Sequence, residues 1–152
     1  MSKRETKVQA RYIDKGFGFP VVIKGVPMIK VRDRWTPQID YSDFAKKVLA
    51  ELVELDGRLT GNQVKFIRLQ LEMTLQQFAE RLGLTHPAII KWEKTRNKPT
   101  GMNWSTEKDI RLFITSELKG TAKDLFALYS QLETVTPSRA GRIELNAELL
   151  AA

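Results

Sequence analysis

The chain has 152 residues, of which 42% are hydrophobic, and this is enough to bury the core of one domain or of a compact domain with an appendage. It has no cysteine and one histidine, which excludes disulfides and thiolate metal sites, so we expect no metal and no cofactor. The formal net charge of +7 favours a polyanionic partner. No apolar run is long enough to cross a bilayer or to serve as a secretion signal, so we expect no membrane partner and no export.

The N-terminal segment, residues 1–34, carries nine basic and three acidic side chains. Its second half, residues 17–34, is rich in Val, Ile and Phe and predicts two short strands joined by a turn at Lys24-Gly25. The basic residues ahead of these strands either form a disordered arm that follows a DNA backbone or only keep the chain soluble, and both interpretations stay open. These residues are Lys3, Arg4, Lys7, Arg11 and Lys15.

Helical spacing of apolar residues begins after Ser42 and predicts a connecting helix that ends at Gly57. This helix has an acidic outer face. Five further helices are predicted behind the hydroxyl-bearing caps Thr60, Thr74, Thr85, Thr106 and Thr121. Their expected bounds are 61–72, 75–82, 86–95, 106–118 and 121–133. Thr60 with Gln63 and Thr74 with Gln77 have the spacing of capping boxes.

The apolar stripes of these five helices predict the core. The inward-facing residues are Val64, Ile67, Leu71, Phe78, Ala79, Leu82, Ile89, Trp92, Ile110, Phe113, Ile114, Leu118, Leu125, Phe126, Leu128 and Leu132. Residues 136–152 are weakly patterned and are predicted to form a tail, with a short helix over Leu145–Leu150.

Residues 74–95 predict two short helices joined by a tight turn at Gly83-Leu84-Thr85. In this geometry the second helix can lie in a DNA major groove while the first crosses the backbone. Two helices packed this closely need a small residue at their crossing, and Ala79 is placed there. Leu84 and Ile89 are expected to fix the angle between the helices from inside.

The stretch "MTLQQFAERLGLTHPAIIKWEKTRNKP" resembles the helix-turn-helix of the Xre-type, lambda-repressor-like family. The family pattern runs Thr-Gln-x-x-Leu-Ala, then Gly-Val-Ser, then Ile-x-x-Trp-Glu and a basic loop that ends in proline. The matching residues are Thr74, Phe78, Ala79, Gly83, Leu84, Thr85, Ile89, Trp92, Glu93 and Pro99. Two positions differ, since Leu75 replaces the family's Gln and Thr95 replaces its glycine. The resemblance covers roughly residues 60–100 and implies a DNA-binding domain.

A longer resemblance includes the N-terminal segment. The order "VVIKGVPMIKV", a connecting helix, "LTGNQVKFIRLQLEMT" and the Xre motif is similar to YgiT/MqsA-type antitoxins, in which a small zinc-binding module precedes the DNA-binding domain. Those antitoxins hold zinc with cysteines, so the corresponding module of this chain must be free of metal. We expect a mainly α fold: a five-helix lambda-repressor-like domain at residues 59–135, preceded by a basic arm, β-hairpin and connecting helix at residues 1–58, and followed by the tail.

The second helix of the motif carries the residues that we expect to face base edges. They are His86, Pro87, Ala88, Ile90 and Lys91. His86 can donate to guanine or accept from the amino groups of cytosine or adenine, while the apolar residues suit thymine methyl groups. Phosphate contacts, which fix register without reading sequence, are expected from Thr74, Leu75, Thr85, Lys94, Arg96, Asn97 and Lys98.

Three other residues near the motif have a structural interpretation. Trp92 lies on the buried stripe and is expected in the core. Glu93 is expected to make an internal polar bond, because an acid that faced phosphates would be repelled. Trp104 either packs as a staple onto the core or marks a dimer surface.

Together these features predict a sequence-specific transcription regulator, a repressor in the cytoplasm that binds double-stranded DNA. One motif reads about half a site, so we expect a homodimer on a palindrome with half-sites about one helical turn apart. The last two helices, the N-terminal strands and the tail all qualify as the dimer surface. In a related form the protein is the antitoxin of a toxin–antitoxin pair, with residues 1–58 or the tail binding the toxin.

Two other classes of function were weighed against the regulator. A nuclease would need converging carboxylates or an acid–base pair, and the acids of the connecting helix spread around its surface instead, so we expect no enzyme. An interaction adaptor whose helix-turn-helix has lost DNA binding stays open because of Leu75 and Thr95.

Overall fold

The computed structural model describes residues 4–118, 120–134 and 139–150, which form a four-stranded sheet and six α-helices. The strands are β1 (Thr6–Asp14), β2 (Val21–Val31), β3 (Arg34–Pro37) and β4 (Ile143–Asn146). The helices are α1 (Tyr41–Val53), α2 (Gly61–Gln70), α3 (Leu75–Arg81), α4 (His86–Glu93), α5 (Trp104–Glu117) and α6 (Ala122–Thr134). A short 3-10 helix, Ala147–Leu150, follows β4.

The centre of the sheet is β2, which pairs with the three other strands. β1 runs antiparallel along one edge, while antiparallel β3 and parallel β4 share the other edge at opposite ends of β2. β2 passes through Lys24-Gly25 without interruption, so the predicted turn there is wrong. Gly25 instead has a φ of 65°, which glycine adopts without strain, and the chain turns at Arg32 and Asp33.

The basic N-terminal segment is ordered in the part that the structure describes. β1 pairs with β2 from Thr6 to Asp14, so the disordered-arm interpretation is wrong from Thr6 onward. The Lys7 ammonium lies 4.4 Å from the centroid of the Trp35 ring, close enough for a cation–π contact. Lys3 lies outside the described residues.

The predicted tail contains a strand that completes the sheet. β4 pairs in parallel with β2, with Val21 opposite Ile143, and Ile143 and Leu145 are buried while Glu144 between them is exposed. This alternation over four residues is the period of a strand. The helix predicted over Leu145–Leu150 is therefore wrong at its start, where Leu145 and Asn146 belong to β4, and the rest of it is the 3-10 helix. The described part of the predicted tail is therefore part of the fold.

Several helix ends depart from the prediction. α1 begins behind Asp40, whose side chain accepts two backbone N–H bonds, and it ends at Val53 rather than at Gly57. α5 begins behind Asn103, so Thr106 is not its cap. The two predicted capping boxes at the starts of α2 and α3 are confirmed. The helix starts are therefore predicted best where a glutamine three residues after the cap completes a capping box.

One hydrophobic core joins the sheet to the helices, and most of the predicted core residues are buried or half-buried in it. Two predictions are wrong: Leu118 is 42% and Phe126 is 73% exposed. α6 packs on α5 and buries Leu128 and Leu132, so its broad apolar stripe leaves residues uncovered on one side.

A buried carboxylate connects α5 to the chain before α2. Glu107 is fully buried, and its Oε1 accepts hydrogen bonds from Arg58 Nε and from the Leu59 backbone N–H, both at 3.0 Å. Its Oε2 accepts a bond from Arg111 Nη2 at 2.6 Å. Two cations therefore neutralise this carboxylate inside the protein.

Arg111 ties α5 to the loop that follows α1. It is 1% exposed and donates to the carbonyl oxygens of Leu55 at 2.7 Å and Gly57 at 2.6 Å. Burial lowers the pKa of Arg111, and the Glu107 carboxylate opposes that shift. The Trp104 ring centroid lies 5.2 Å from the Arg111 guanidinium, and Trp104 Nε1 donates to a carbonyl of α6, which supports the staple interpretation of this residue.

Candidate nucleic-acid interface

α3 and α4 form a helix-turn-helix. Ala79 and Ile89 are buried where the helices pack, and Gly83 in the turn has a φ of 69°. The Leu84 backbone N–H donates to the Ala79 carbonyl at 2.8 Å. The Leu84 side chain, predicted inside, is 38% exposed, so its backbone rather than its side chain holds the turn.

The outer face of α4 is set by the residues that it buries. Ile89 and Trp92 face the core, as predicted. The predicted base-reading residues lie on the remaining surface: His86, Pro87 and Lys91 are exposed, and Ala88 and Ile90 are half-buried. The fold thus brings these five onto one short helix, with three fully open to solvent.

His86 is oriented by a side chain of α3. Gln76 Nε2 donates to Glu80 Oε1 at 3.0 Å, so the Gln76 oxygen faces His86, whose Nδ1 lies 3.2 Å away. That oxygen only accepts, so the contact is a hydrogen bond when the ring carries a proton on Nδ1. The sequence prediction missed Gln76, since its contact with His86 crosses the turn between two helices.

The exit loop after α4, residues 94–98, presents Lys94, Arg96, Asn97 and Lys98 as exposed residues. Arg96 has a φ of 55°, which lies in the left-handed region. The glycine of the Xre pattern falls one residue earlier, at the position of Thr95. The Thr95 hydroxyl lies 2.8 Å from the Trp92 carbonyl oxygen and caps the end of α4. The substitution of the family's glycine by Thr95 is therefore compatible with a tight exit.

The start of α2 holds the exit loop in place. The Asn62 backbone N–H donates to the Arg96 carbonyl at 2.9 Å. A Cβ atom on Gly61 would overlap the Trp92 carbonyl oxygen and the Arg96 nitrogen, so only glycine permits this approach. The exit loop is thus fixed by backbone contacts while its cationic side chains stay free.

Glu93 makes the internal polar bond that the sequence predicted. Arg68 on α2 donates to both of its carboxylate oxygens, at 2.9 and 3.0 Å, and also to the Met73 carbonyl at 3.1 Å. The two side chains are 11% and 12% exposed. This bidentate pair connects α2 to α4, and Arg68 was missed because nothing local in the sequence marks its partner.

The starts of α3 and α4 differ in what they leave free. The Thr74 hydroxyl accepts the Gln77 backbone N–H at 3.1 Å, and the Leu75 side chain is half-buried. Thr85 makes no such capping bond and is exposed. Both hydroxyls therefore keep an O–H that can donate to a phosphate, and the one on Thr85 has no capping role.

A cleft of about 450 Å³ lies between α2, α3 and α4. It is lined by Asn62, Lys65, Arg68, Leu75, Ile90, Glu93, Lys94 and Arg96. Lys65 is exposed and adds a cation that the sequence prediction did not include. The only carboxylate in the lining is already paired with Arg68.

The exposed cations of α4 and the exit loop take no part in the ion pairs of the described chain. Within residues 4–118, 120–134 and 139–150, the ion pairs do not involve Lys91, Lys94, Arg96 or Lys98. The same ranges contain no group of three or more metal-ligating side chains. None of the helices in the described chain combines the length and apolar character that a bilayer span requires.

A comparison with family models supports the helix-turn-helix formed by α3 and α4. Residues 64–105 match the family model described as helix-turn-helix, a match that indicates a DNA-binding transcription regulator. Comparisons with curated proteins and with solved structures gave no match. The matched segment begins within α2, includes α3 and α4 and ends at the start of α5. Residues 64–105 are thus a helix-turn-helix of the Xre, lambda-repressor-like type.

Proposed function

We propose that the protein is a sequence-specific double-stranded DNA-binding repressor that acts in the cytoplasm without catalysing a reaction. One observation carries this proposal: α4 and the exit loop present four exposed cations that form no ion pair with the residues that the structure describes, and the one acid among them, Glu93, is neutralised by Arg68. Such a surface attracts phosphates, and an α-helix fits the major groove.

The role proposed for each residue of α4 follows from how exposed its side chain is. His86, Pro87 and Lys91 reach base edges, with Ala88 and Ile90 beside them at half-buried positions. In the neutral tautomer that donates from Nδ1 to Gln76, Nε2 is an acceptor, and we propose that it accepts from the amino group of cytosine or adenine. The sequence alone left guanine, cytosine and adenine open as partners of His86, and this proposal keeps cytosine and adenine.

Phosphate contacts are proposed for the exit loop and the helix starts. The residues are Thr74, Leu75, Thr85, Lys94, Arg96, Asn97 and Lys98, joined by Lys65 from the cleft. At Leu75 the contact would come from the backbone N–H at the start of α3. At Thr74 it would come from the hydroxyl, because the Thr74 backbone N–H already donates to Gln77 Oε1 while the hydroxyl oxygen only accepts from Gln77 and keeps its O–H to donate.

Binding to the protein's own promoter region tests the proposal. We expect a footprint with twofold symmetry and an affinity that falls with salt, with log K changing against log salt by about −0.9 per neutralised phosphate. Binding that does not depend on salt, or none at all, would refute the proposal and would favour the adaptor. Metal-dependent cleavage of the DNA would show an enzyme instead.

We further propose that a homodimer forms through α5 and α6. A groove of about 410 Å³ between them is lined by Leu112, Phe113, Leu125, Phe126 and Tyr129. Arg81 and Asp109 also line it and lie 3.8 Å apart, so two copies related by a twofold axis can exchange these opposite charges.

The dimer proposal is tested by Phe126→Glu, with Leu149→Glu as the matched control. Both residues are exposed hydrophobics, but Leu149 lies on the 3-10 helix outside the groove. We expect only Phe126→Glu to halve the mass measured by light scattering and to weaken operator binding. An unchanged mass in Phe126→Glu would exclude this surface.

A second candidate function is that of an antitoxin, and the free edge of the sheet favours it. In the described chain β1 pairs with β2 alone, so the other edge of its nine residues offers unpaired backbone groups to an extended segment of a toxin. The test is co-purification with the product of the neighbouring gene. If that product does not co-elute with the protein, the antitoxin proposal falls and the repressor proposal remains.

A further inference from the structure

We propose that the DNA-binding surface extends beyond the helix-turn-helix, onto the turn between β1 and β2 and onto the segment before β4. In this arrangement Lys15 and Arg142 contact backbone phosphates. The inference rests on the proposed function, because it adds contacts to the same interface from two parts of the chain that lie outside residues 64–105.

The turn between β1 and β2 is tied to the exit loop by one side chain. Asn62 Nδ2 donates to the Gly18 carbonyl at 2.8 Å and to Asn97 Oδ1 at 3.2 Å. The Gly18 backbone N–H in turn donates to the Lys15 carbonyl at 3.1 Å, which closes the turn. Lys15 therefore belongs to a turn that is fixed next to Asn97.

The segment before β4 lines a groove together with Asn97 of the same loop. Arg58 forms a parallel bridge with Ala140, and Thr60 forms an antiparallel bridge with Pro99. Residues 58–60 thus lie between the segment before β4 and the chain at the end of the exit loop. A groove of about 340 Å³ runs between them and is lined by Phe19, Pro20, Thr60, Gln63, Asn97, Ala140, Gly141 and Arg142.

Close backbone packing holds Arg142 in position. A Cβ atom on Gly57, which has a φ of 140°, would overlap the backbone of Gly141. A Cβ atom on Gly141 would overlap the Leu55 side chain. Because neither glycine leaves room for movement toward the other, the position of Arg142 is set by the fold.

Two exposed cations belong to the segments that line this groove. Lys15 and Arg142 are exposed and take part in no ion pair among the residues that the structure describes. None of the described residues that line the groove is a carboxylate. Of the neighbouring acids, Asp14 is 8% exposed and accepts the Gly16 N–H, and Glu144 is paired with Lys24 at 3.3 Å.

Positive charge from two further segments near Asn97 suits contact with a continuous phosphate backbone. Contacts of this kind position the protein on the duplex and carry no sequence information. A duplex that places a phosphate near Asn97 would bring neighbouring phosphates toward Lys15 and Arg142.

The double variant Lys15→Ala/Arg142→Ala tests this inference by the salt dependence of DNA binding. We expect the slope of log K against log salt to become shallower by about 0.9 for each lost contact, equally on operator and unrelated DNA. Two single variants serve as controls: Lys123→Ala lies on α6, which packs on α5, and Lys24→Ala removes a lysine that is paired with Glu144. Both controls should keep the wild-type slope.

Two outcomes separate this inference from the proposed function. If the wild-type protein and Lys94→Ala behave as proposed but the double variant keeps the wild-type slope, the extended surface is refuted and the repressor is not. If the wild-type protein shows no salt-dependent binding, both fall. Ethylation interference gives a check that is independent of variant folding: in the wild-type complex, the interfering phosphates should extend past those next to α4, and a footprint confined to the α4 groove would refute the extension.

Discussion

Two groups of basic side chains lie on or near the helix-turn-helix and differ in their surroundings: one is buried in ion pairs and the other is exposed to solvent. Arg58, Arg68 and Arg111 are buried or largely buried, and each is bonded to a carboxylate. Lys91 and Lys94 are exposed and form no ion pair in the described part of the chain. A net charge of +7 therefore says little until each cation is placed in one of these groups.

The difference teaches where charge stabilises the fold and where it is left for a partner. A buried pair is costly to break, since removing one member leaves the other desolvated without compensation. An exposed cation contributes little to stability, yet it releases counterions when it meets a phosphate. The first group should control unfolding and the second should control DNA binding.

The largest expected effect comes from breaking the first group at its centre. Glu107→Ala leaves Arg58 and Arg111 without their shared carboxylate, and we expect a loss of about 3–5 kcal/mol in the free energy of unfolding. Urea denaturation measures it. Asp56→Ala is the matched control, because its pair with Arg139 is exposed and its loss should stay within about 0.5 kcal/mol. Equal losses in both variants would contradict the comparison.

A smaller effect is expected at the pair that connects α2 to α4. Glu93→Gln keeps the shape of the side chain but removes the charge that two hydrogen bonds from Arg68 stabilise. We expect about 1–3 kcal/mol less stability. The salt slope of DNA binding, measured by fluorescence anisotropy, should not change. A changed slope would mean that Arg68 or Glu93 belongs with the exposed group.

His86→Ala should act on binding alone. We expect a loss of about 1–3 kcal/mol on the cognate site and a relaxed preference at one base pair, with no change on unrelated DNA. Selection from a randomised site measures that preference, which should favour cytosine or adenine in the wild-type protein. An equal loss on every sequence would show that His86 does not read a base.

The smallest expected change is that of Lys94→Ala, which should make the slope of log K against log salt shallower by about 0.9 without altering sequence preference or stability. Titration at four or more salt concentrations is sufficient to measure it. If the variant lost stability instead, Lys94 would have to be moved to the structural group.

The sequence predicted the helices well because their signals are local. Thr60 with Gln63 and Thr74 with Gln77 specify two helix starts within four residues, and Ala79 marks the crossing of the motif. The division of the chain at residues 58 and 135 and the DNA contacts of individual residues stay predictions.

The sheet and the polar network could not be predicted in the same way. β1 is exposed over most of its length, so no alternating buried face marks it in the sequence, and β4 is a strand only through its pairing with distant β2. Gln76 and Arg68 find their partners, His86 and Glu93, across helix boundaries. Contacts of this kind depend on packing, which no window of the sequence contains.

The parallel pairing of β4 with β2 has a consequence for the order in which the chain folds during synthesis. Val21 pairs with Ile143, and all the helices α1 to α6 lie between these partners. Pairing between segments so far apart is slow, because the loop must close before any contact compensates its entropy. On the ribosome β1, β2 and the helices all emerge before β4, so the part of the β2 edge that pairs with β4 lacks its partner until the end of synthesis. Translation that stalls before residue 143 would release a chain with a formed reading helix and a sheet open to aggregation.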